Sequence, residues 1–321
     1  MVKEASPIGL LGDIGGTNAR FALLRPDGAI DHVRSFVVEE YPSLASAVAD
    51  YLEADGLGPC PAHAALAVAA PVTGDRVTLT NHPWTFSIAG LRRELDLRRL
   101  EVVNDFVANA LALPHLGEGD RVQIGRGTPA PGAPCAVLGP GTGLGMSALI
   151  PNGGIGITVQ SEGGHVTMAP ADARESAVLD RMRRRYDHVS AERVVSGPGL
   201  VNLYNVLCEL SERPAGPFSA AQVTDPQIGA SDPCAHEATA MFCAMLGTVA
   251  SDLALTLGAR GGIHIAGGIV PRLGSRFADS AFRARFEAKG RFSDYLATIP
   301  TYVITRPVPA LAGLAKLLQA A

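Results

Sequence analysis

Two short glycine turns, each set between apolar runs, constrain this chain more than any other feature. Leu10-Leu11-Gly12 leads into Asp13-Ile14-Gly15-Gly16-Thr17-Asn18-Ala19-Arg20, and Phe21-Ala22-Leu23-Leu24 leads out. Later, Ala136-Val137-Leu138 runs into Gly139-Pro140-Gly141-Thr142-Gly143-Leu144-Gly145 and out through Met146-Ser147-Ala148-Leu149-Ile150. Short apolar runs punctuated by glycine predict a strand, a tight turn and a second strand in each case. A nucleotide loop of the P-loop or dinucleotide type opens a helix instead, and no G-x-x-x-x-G-K-[ST] occurs. Adjacent glycines reach backbone angles closed to other residues and let main-chain N–H groups approach an anion, while Thr17 and Asn18 add side-chain donors. The first turn therefore reads as a phosphate grip with Asp13 at its strand end. Glycine also makes plain hairpins, and for either turn alone that reading stays open. The pair predicts two related halves with a nucleotide held between them.

Only Lys3, Lys289 and Lys316 are lysines, and none is near a glycine turn, so phosphates must be held by backbone N–H groups, hydroxyls, arginine or a metal ion. A net charge of −4 provides no basic field and argues against a nucleic-acid partner. With 321 residues and 47% apolar content the chain can bury one large or two ordinary cores. Five cysteines, Cys60, Cys135, Cys208, Cys234 and Cys243, are odd in number and form no C-x-x-C pair, which fits a reducing cytoplasm better than a disulfide framework. The start of the chain, with Lys3 and Glu4, carries no signal-peptide pattern. Met241 to Leu257 is the most membrane-like run, but Asp252 within it predicts a buried helix and no membrane.

Along the chain, Pro42-Ser43 starts a helix with Leu44, Val48, Tyr51 and Leu52 at helical spacing. Ala64 to Ala70 predicts a buried strand, and Val77 to Thr80 another that delivers Asn81-His82-Pro83-Trp84, with Trp84 capping a core edge or meeting a ligand. Leu100-Glu101-Val102-Val103 predicts a strand ending at Asn104-Asp105, before the helix-forming run Phe106 to Leu113. An Asp there is either a helix cap or a carboxylate able to take a proton from a hydroxyl. The Gly- and Pro-rich stretch from Gly117 to Pro134 breaks the composition and marks a domain boundary. Beyond it, Ser161-Glu162-Gly163-Gly164-His165 puts planar polar groups on a flexible loop suited to sugar hydroxyls, and it lacks the third ligand a metal would need. Glu192 precedes Ser196-Gly197-Pro198-Gly199, which starts a helix with Leu200, Leu203, Tyr204 and Leu207 on its core face. Taken alone Glu192 reads as a solvated acid, and Arg181 to Arg185 as an exposed helix face. Gly261 to Ile269 is a strand ending in Gly267-Gly268, where a flat ring can lie against the backbone. A strand at Tyr302-Val303-Ile304-Thr305 and a helix with Leu311, Leu314 and Leu318, able to fold back on the first domain, close the chain.

These stretches together resemble the bacterial glucokinase family of the hexokinase and actin-like ATPase fold. The matching residues run in family order: Gly12 to Arg20, Thr80 to Trp84, Val103-Asn104-Asp105-Phe106, Gly141 to Gly145, Glu162 to His165, Ser190 to Arg193, Ser196 to Gly199 and Ile265 to Pro271. The resemblance implies an α/β protein of two RNase-H-like domains flanking a cleft, a small one of residues 1–114 plus 306–321 and a large one of residues 115–305. It implies glucose and ATP as substrates, with Asn104, Asp105, Glu162, His165 and Glu192 on the sugar hydroxyls and Asp105 as base on the 6-hydroxyl. Asp13, Gly15, Gly16, Thr17 and Asn18, together with Gly141, Thr142 and Gly143, would flank the phosphates. Asp13 would hold Mg2+ through water, and Gly267 and Gly268 would back the adenine. A cytoplasmic homodimer is the expected state.

Two rivals share the fold. A kinase for mannose, fructose or an N-acetylated amino sugar would look alike at these positions. A sugar-responsive repressor carries a DNA-binding extension before the first glycine turn, where only about ten residues stand here. The ROK group of sugar kinases and repressors carries a cysteine-rich zinc motif after its Glu-x-Gly-His region. Here Val166-Thr167-Met168-Ala169-Pro170 follows His165, which points to the zinc-free branch.

Overall fold

The computed structural model describes residues 7–54, 56–80 and 82–320. Lys3, Glu4 and Asn81, named above, lie outside them. The chain divides into two compact units, Met1–Leu116 with Pro151–Gln160 and Arg306–Ala321, and Gly117–Ile150 with Ser161–Thr305. Pro151–Gln160 groups with the first unit, whereas the domain assignment from sequence placed it in the second. Its glycines fold around Asn152, whose Oδ1 accepts from the N–H groups of Gly154 and Gly156, a local turn that carries no sequence signal of which unit it joins.

In the first unit, β1 (Gly9–Ile14), β2 (Asn18–Leu24) and β3 (Ile30–Val37) form an antiparallel meander. Helix α1 (Leu44–Ala54) leads to β4 (His63–Val68), which lies parallel to β1. A small hairpin of β5 (Arg76–Thr78) and β6 (Thr85–Ser87) and helix α2 (Ile88–Glu94) precede β7 (Arg99–Asn104), parallel to β4. The sheet order is β3-β2-β1-β4-β7. Period-two alternation sorts its residues to two faces. Leu10, Ile14, Phe21, Leu23, Leu66 and Val68 pack with Leu44, Val48 and Tyr51 of α1. Leu11, Ala22, Leu24, Ala65 and Ala67 pack with α3 (Asp105–Ala112) and the terminal helix, through Ala108, Leu311, Leu314 and Ala315. Trp84 is buried in the first of these cores with its Nε1 donating to the Tyr41 carbonyl, so it caps a core edge.

The second unit opens with β8 (Arg121–Ile124), inside the stretch read from sequence as a boundary. β9 (Cys135–Pro140) and β10 (Leu144–Ile150) form the second glycine hairpin, and β11 (Ile157–Ser161) follows. Helices α4 (Ala173–Arg183), α5 (Gly197–Leu210), α6 (Ala220–Val223), α7 (Pro226–Ser231) and the long α8 (Pro233–Leu257) come next. The chain then enters β12 (Gly262–Ile265), short helices α9 (Ile269–Leu273), α10 (Ser275–Ala278), α11 (Phe282–Glu287) and α12 (Ser293–Ala297), and β13 (Thr301–Ile304). The sheet order is β11-β10-β9-β12-β13-β8, with β9, β12 and β13 mutually parallel. This repeats the scheme of the first unit, a hairpin whose first strand is flanked by parallel strands. Helix α8 is long and apolar enough to cross a membrane, but 67% of its most apolar window is buried in protein, and Asp252 pairs with Lys289. Helix α13 (Pro309–Gln319) returns the chain to the first unit.

Candidate active site

In the first unit the site grows from the ends of β1 and β7, with β4 between them. Asp13 closes β1, and across the hairpin its Oδ2 meets Arg20 Nη1 at 3.3 Å. Burial raises the Asp13 carboxyl above its ordinary value against the pull of Arg20, and its side chain is 18% exposed. The turn closes through Gly15 N–H to the Asn18 carbonyl at 2.9 Å, and Thr17 stands exposed at its tip. Neither Gly15 nor Gly16 takes a left-handed φ, and the same holds for Gly141 and Gly143. Left-handed backbone is therefore not what these glycines supply, a correction to the expectation from sequence; at Gly143 the missing side chain leaves room for the Glu192 carboxylate.

The cap that the sequence offered to Asp105 is made mainly by its neighbour Asn104. Asn104 is the cap of α3, its Oδ1 accepting from Phe106 N–H at 2.9 Å and Val107 N–H at 3.3 Å, while its Nδ2 donates to the Ala70 carbonyl at 3.3 Å. Its amide also hydrogen-bonds the Asp105 carboxylate. Asp105 is the first helical residue, with Oδ1 accepting from Phe106 N–H at 3.0 Å. Burial and then the nearby charge of Asp13 push Asp105 up to about 7, against the hydrogen bonds it accepts. Such a carboxylate is poised to take a proton near neutral pH.

In the second unit Glu192 lies against the second glycine hairpin. Its Oε2 accepts from Leu144 N–H at 2.8 Å, and a Cβ on Gly143 would stand 2.5 Å from that oxygen. The solvated-acid reading of Glu192 fails because its half-buried carboxylate is committed to this turn. Glu162 and His165 flank a 3-10 turn in which Gly164 is buried, and a Cβ on Gly164 would strike the Leu144 carbonyl. The loop read as flexible is thus seated on β10, which fixes the exposed Glu162 and His165. Among the described residues neither side chain has a hydrogen-bond partner, so both are available to a ligand.

Beside the hairpin a cavity of about 670 Å³ is lined by Gly141, Thr142, Gly197, Ala220, Thr224 and Gly268 among others. Gly197 N–H, at the start of α5, donates to the Gly141 carbonyl at 2.8 Å. Gly268 reaches the cavity, but Gly267 is not among its lining residues. Gly267 takes φ +84°, and a Cβ there would strike the Pro140 carbonyl, so it turns the backbone and lets Gly268 face the ligand. Pro140 ends β9 opposite Leu144, and the turn closes through Gly141 N–H to the Gly143 carbonyl.

No group of three or more His, Cys, Asp or Glu side chains among the described residues could cage a metal. Asp13 has one oxygen on Arg20 and the other without a hydrogen-bond partner among the described residues, and the neighbouring Thr17 is exposed. A hard ion that keeps several waters and takes one or two carboxylates plus phosphate oxygens fits that donor set, whereas zinc does not.

The glucokinase family model matches residues 10–321. The chain belongs to the glucokinase family. It is 52% identical over 309 residues to a glucokinase of Paramagnetospirillum magneticum, covering 96% of each chain. It is 49% identical over 317 residues to one of Nitrobacter hamburgensis, covering 99% of each. A crystal structure of a glucokinase from an Antarctic psychrotroph superimposes with a TM-score of 0.88 at 35% identity, covering 99% of this chain and 100% of the other. The two α/β units are those of the actin-like ATPase fold of glucokinase-type sugar kinases.

Within this glucokinase-family chain, sequence reading missed the far wall of the cavity. Ala220, Ala221, Thr224, Asp225 and Pro226 come from α6, α7 and the turn between them. The signals were present as the capping box Ser219–Gln222 and the Asp225-Pro226 helix start. Arg272 and Arg276, four residues apart after the double glycine, supply the cationic part of the wall, with Arg276 Nη1 donating to the Thr224 carbonyl at 2.8 Å.

Proposed function

We propose that this chain transfers the γ-phosphoryl group of ATP to the 6-hydroxyl of glucose, with Asp105 as general base. The observation that carries the proposal is the Asp105 carboxyl, held at the start of α3 and raised to about 7. Asp105 takes the proton of the 6-hydroxyl as that oxygen bonds to the γ-phosphorus, the bond from phosphorus to the bridging oxygen breaks, and ADP leaves. Asn104, Asp105, Glu162, His165 and Glu192 hold the sugar hydroxyls. Main-chain N–H groups of residues 15–18 and 141–143, with the Thr17 and Thr142 hydroxyls, flank the phosphates, and the cavity beside Gly268 takes the adenosine. Asp13 would hold Mg2+ through water, and the ion would supply charge neutralisation to the phosphate oxygens. Phosphoryl transfer asks for alignment and charge neutralisation more than for covalent chemistry, which suits a site built of backbone donors and one base. The working form is a cytoplasmic homodimer, which light scattering tests.

A coupled assay for ADP across glucose, mannose, fructose and N-acetylglucosamine, with Mg2+ and ATP, tests the reaction. Glucose is expected to give the highest kcat/KM and a product phosphorylated at the 6-oxygen. ADP release with another hexose and none with glucose would overturn the substrate assignment.

A further inference from the structure

The carboxylate of Glu192 divides its two oxygens. Oε2 holds Leu144 N–H, the first residue after the glycine turn, at 2.8 Å. Oε1 has no hydrogen-bond partner among the described residues. The main chain of the same residue is tied to the nucleotide side as well. Its carbonyl accepts from Ser196 Oγ at 2.7 Å, Ser196 Oγ caps α5 by accepting from Gly199 N–H at 3.0 Å, and Gly197 N–H of that cap donates to the Gly141 carbonyl at 2.8 Å. The turn at residues 141–143 is therefore pinned at both ends, by α5 at Gly141 and by Glu192 at Leu144. Gly141 and Thr142 line the cavity directly. Gly143 has no room for a side chain because the Glu192 carboxylate fills that space.

We infer that Glu192 is a positioning residue for the nucleotide as well as a sugar ligand, and that it couples the two binding events. This inference rests on the sugar role proposed above. A sugar hydroxyl donating to Oε1 fixes the carboxylate plane, and a fixed plane holds the Leu144 N–H and with it the phosphate-facing turn. Nucleotide bound to a turn already in place loses less freedom, so sugar tightens nucleotide and, by thermodynamic reciprocity, nucleotide tightens sugar by the same factor. Leu144 N–H donates to a charged acceptor, and losing one such bond is felt as about tenfold in affinity.

Calorimetric titration of a non-hydrolysable ATP analogue with Mg2+, in the absence and presence of saturating glucose, tests this on the wild type, Glu192→Gln and Glu192→Ala. Glucose is expected to tighten the analogue several-fold in the wild type. Glu192→Ala should bind the analogue about tenfold more weakly even without glucose and lose the coupling. Glu192→Gln, whose amide oxygen still accepts from Leu144 N–H, should restore most of the sugar-free affinity. Gly143→Ala, which crowds the same oxygen, is the second variant should Glu192→Ala not fold. Unchanged sugar-free affinity for the analogue in the folded Ala variants, or no coupling in the wild type, would overturn the inference. Retained glucose affinity in Glu192→Ala would instead remove the sugar role on which it rests.

Discussion

For Asp105, the proposed base, both the proposed role and the cost of burying the carboxyl are measurable. With a carboxyl at about 7 in the free protein, kcat/KM should fall as pH drops through about 7, because the protonated acid cannot accept the 6-hydroxyl proton. A pH profile of kcat/KM for glucose checks this, and an acid limb near 4 would contradict it. Stability runs the other way. A carboxyl whose folded pKa lies above its unfolded value of 3.8 stabilises the fold fully below about 4, and that contribution is lost as pH rises through about 7. Holding the ionised group in this site costs up to about 4 kcal/mol above pH 7. Asp105→Asn is therefore expected to raise Tm relative to wild type at pH 8 and much less at pH 4, read by thermal melting at both values. Sequence showed this residue at a strand-to-helix junction but could not divide its roles. Asn104 is the cap because its amide oxygen reaches two N–H groups of α3, while the Asp105 carboxylate shares only the Phe106 N–H through one oxygen.

At the level of elements, backbone proximity sets the sequence more than propensity does. Helices α3 and α13 approach so closely that a Cβ on Gly313 would strike the Ala108 carbonyl. Gly313→Val should destabilise the fold by about 1–3 kcal/mol or more through overpacking, measured by urea unfolding, while Gly56→Ala, at an open position, serves as the loop control for strain alone. The two positions of the second glycine turn should also separate. A Cβ on Gly141 meets nothing within 4 Å, so Gly141→Ala should weaken ATP and leave glucose affinity alone, whereas Gly143→Ala should disturb both through Glu192. Equal effects of the two substitutions on glucose affinity would contradict this. The strand-turn-strand units, α1, the α5 start and the fold-back of α13 were legible because alternation, caps and helical spacing are local signals. Strand β8 was not, since its four residues sit among glycines and prolines and become a strand only by pairing with β13. Nor was the α6–α7 wall of the cavity, because what makes it a wall is its distance from Gly141 and Gly268, which no local pattern encodes.

At the scale of the molecule, each unit repeats one topology, the first carrying Asp13 and Asp105 near the ends of β1 and β7 and the second a glycine hairpin beside a cavity. No zinc cage exists among the described residues, so chelation followed by Mg2+ resupply should return full activity with the fold intact; unfolding under chelator would contradict this. The family match made the assignment of the sugar residues legible as a set, while composition alone left each of them with an ordinary structural explanation. The central claim is that the first unit supplies the base and the second the nucleotide site. It is tested most directly by measuring turnover, glucose affinity and ATP-analogue affinity together on folded Asp105→Asn. Turnover is expected to fall by about 10²–10⁴ with both affinities changed far less, the pattern for loss of a general base. Turnover within a few-fold of wild type would contradict it.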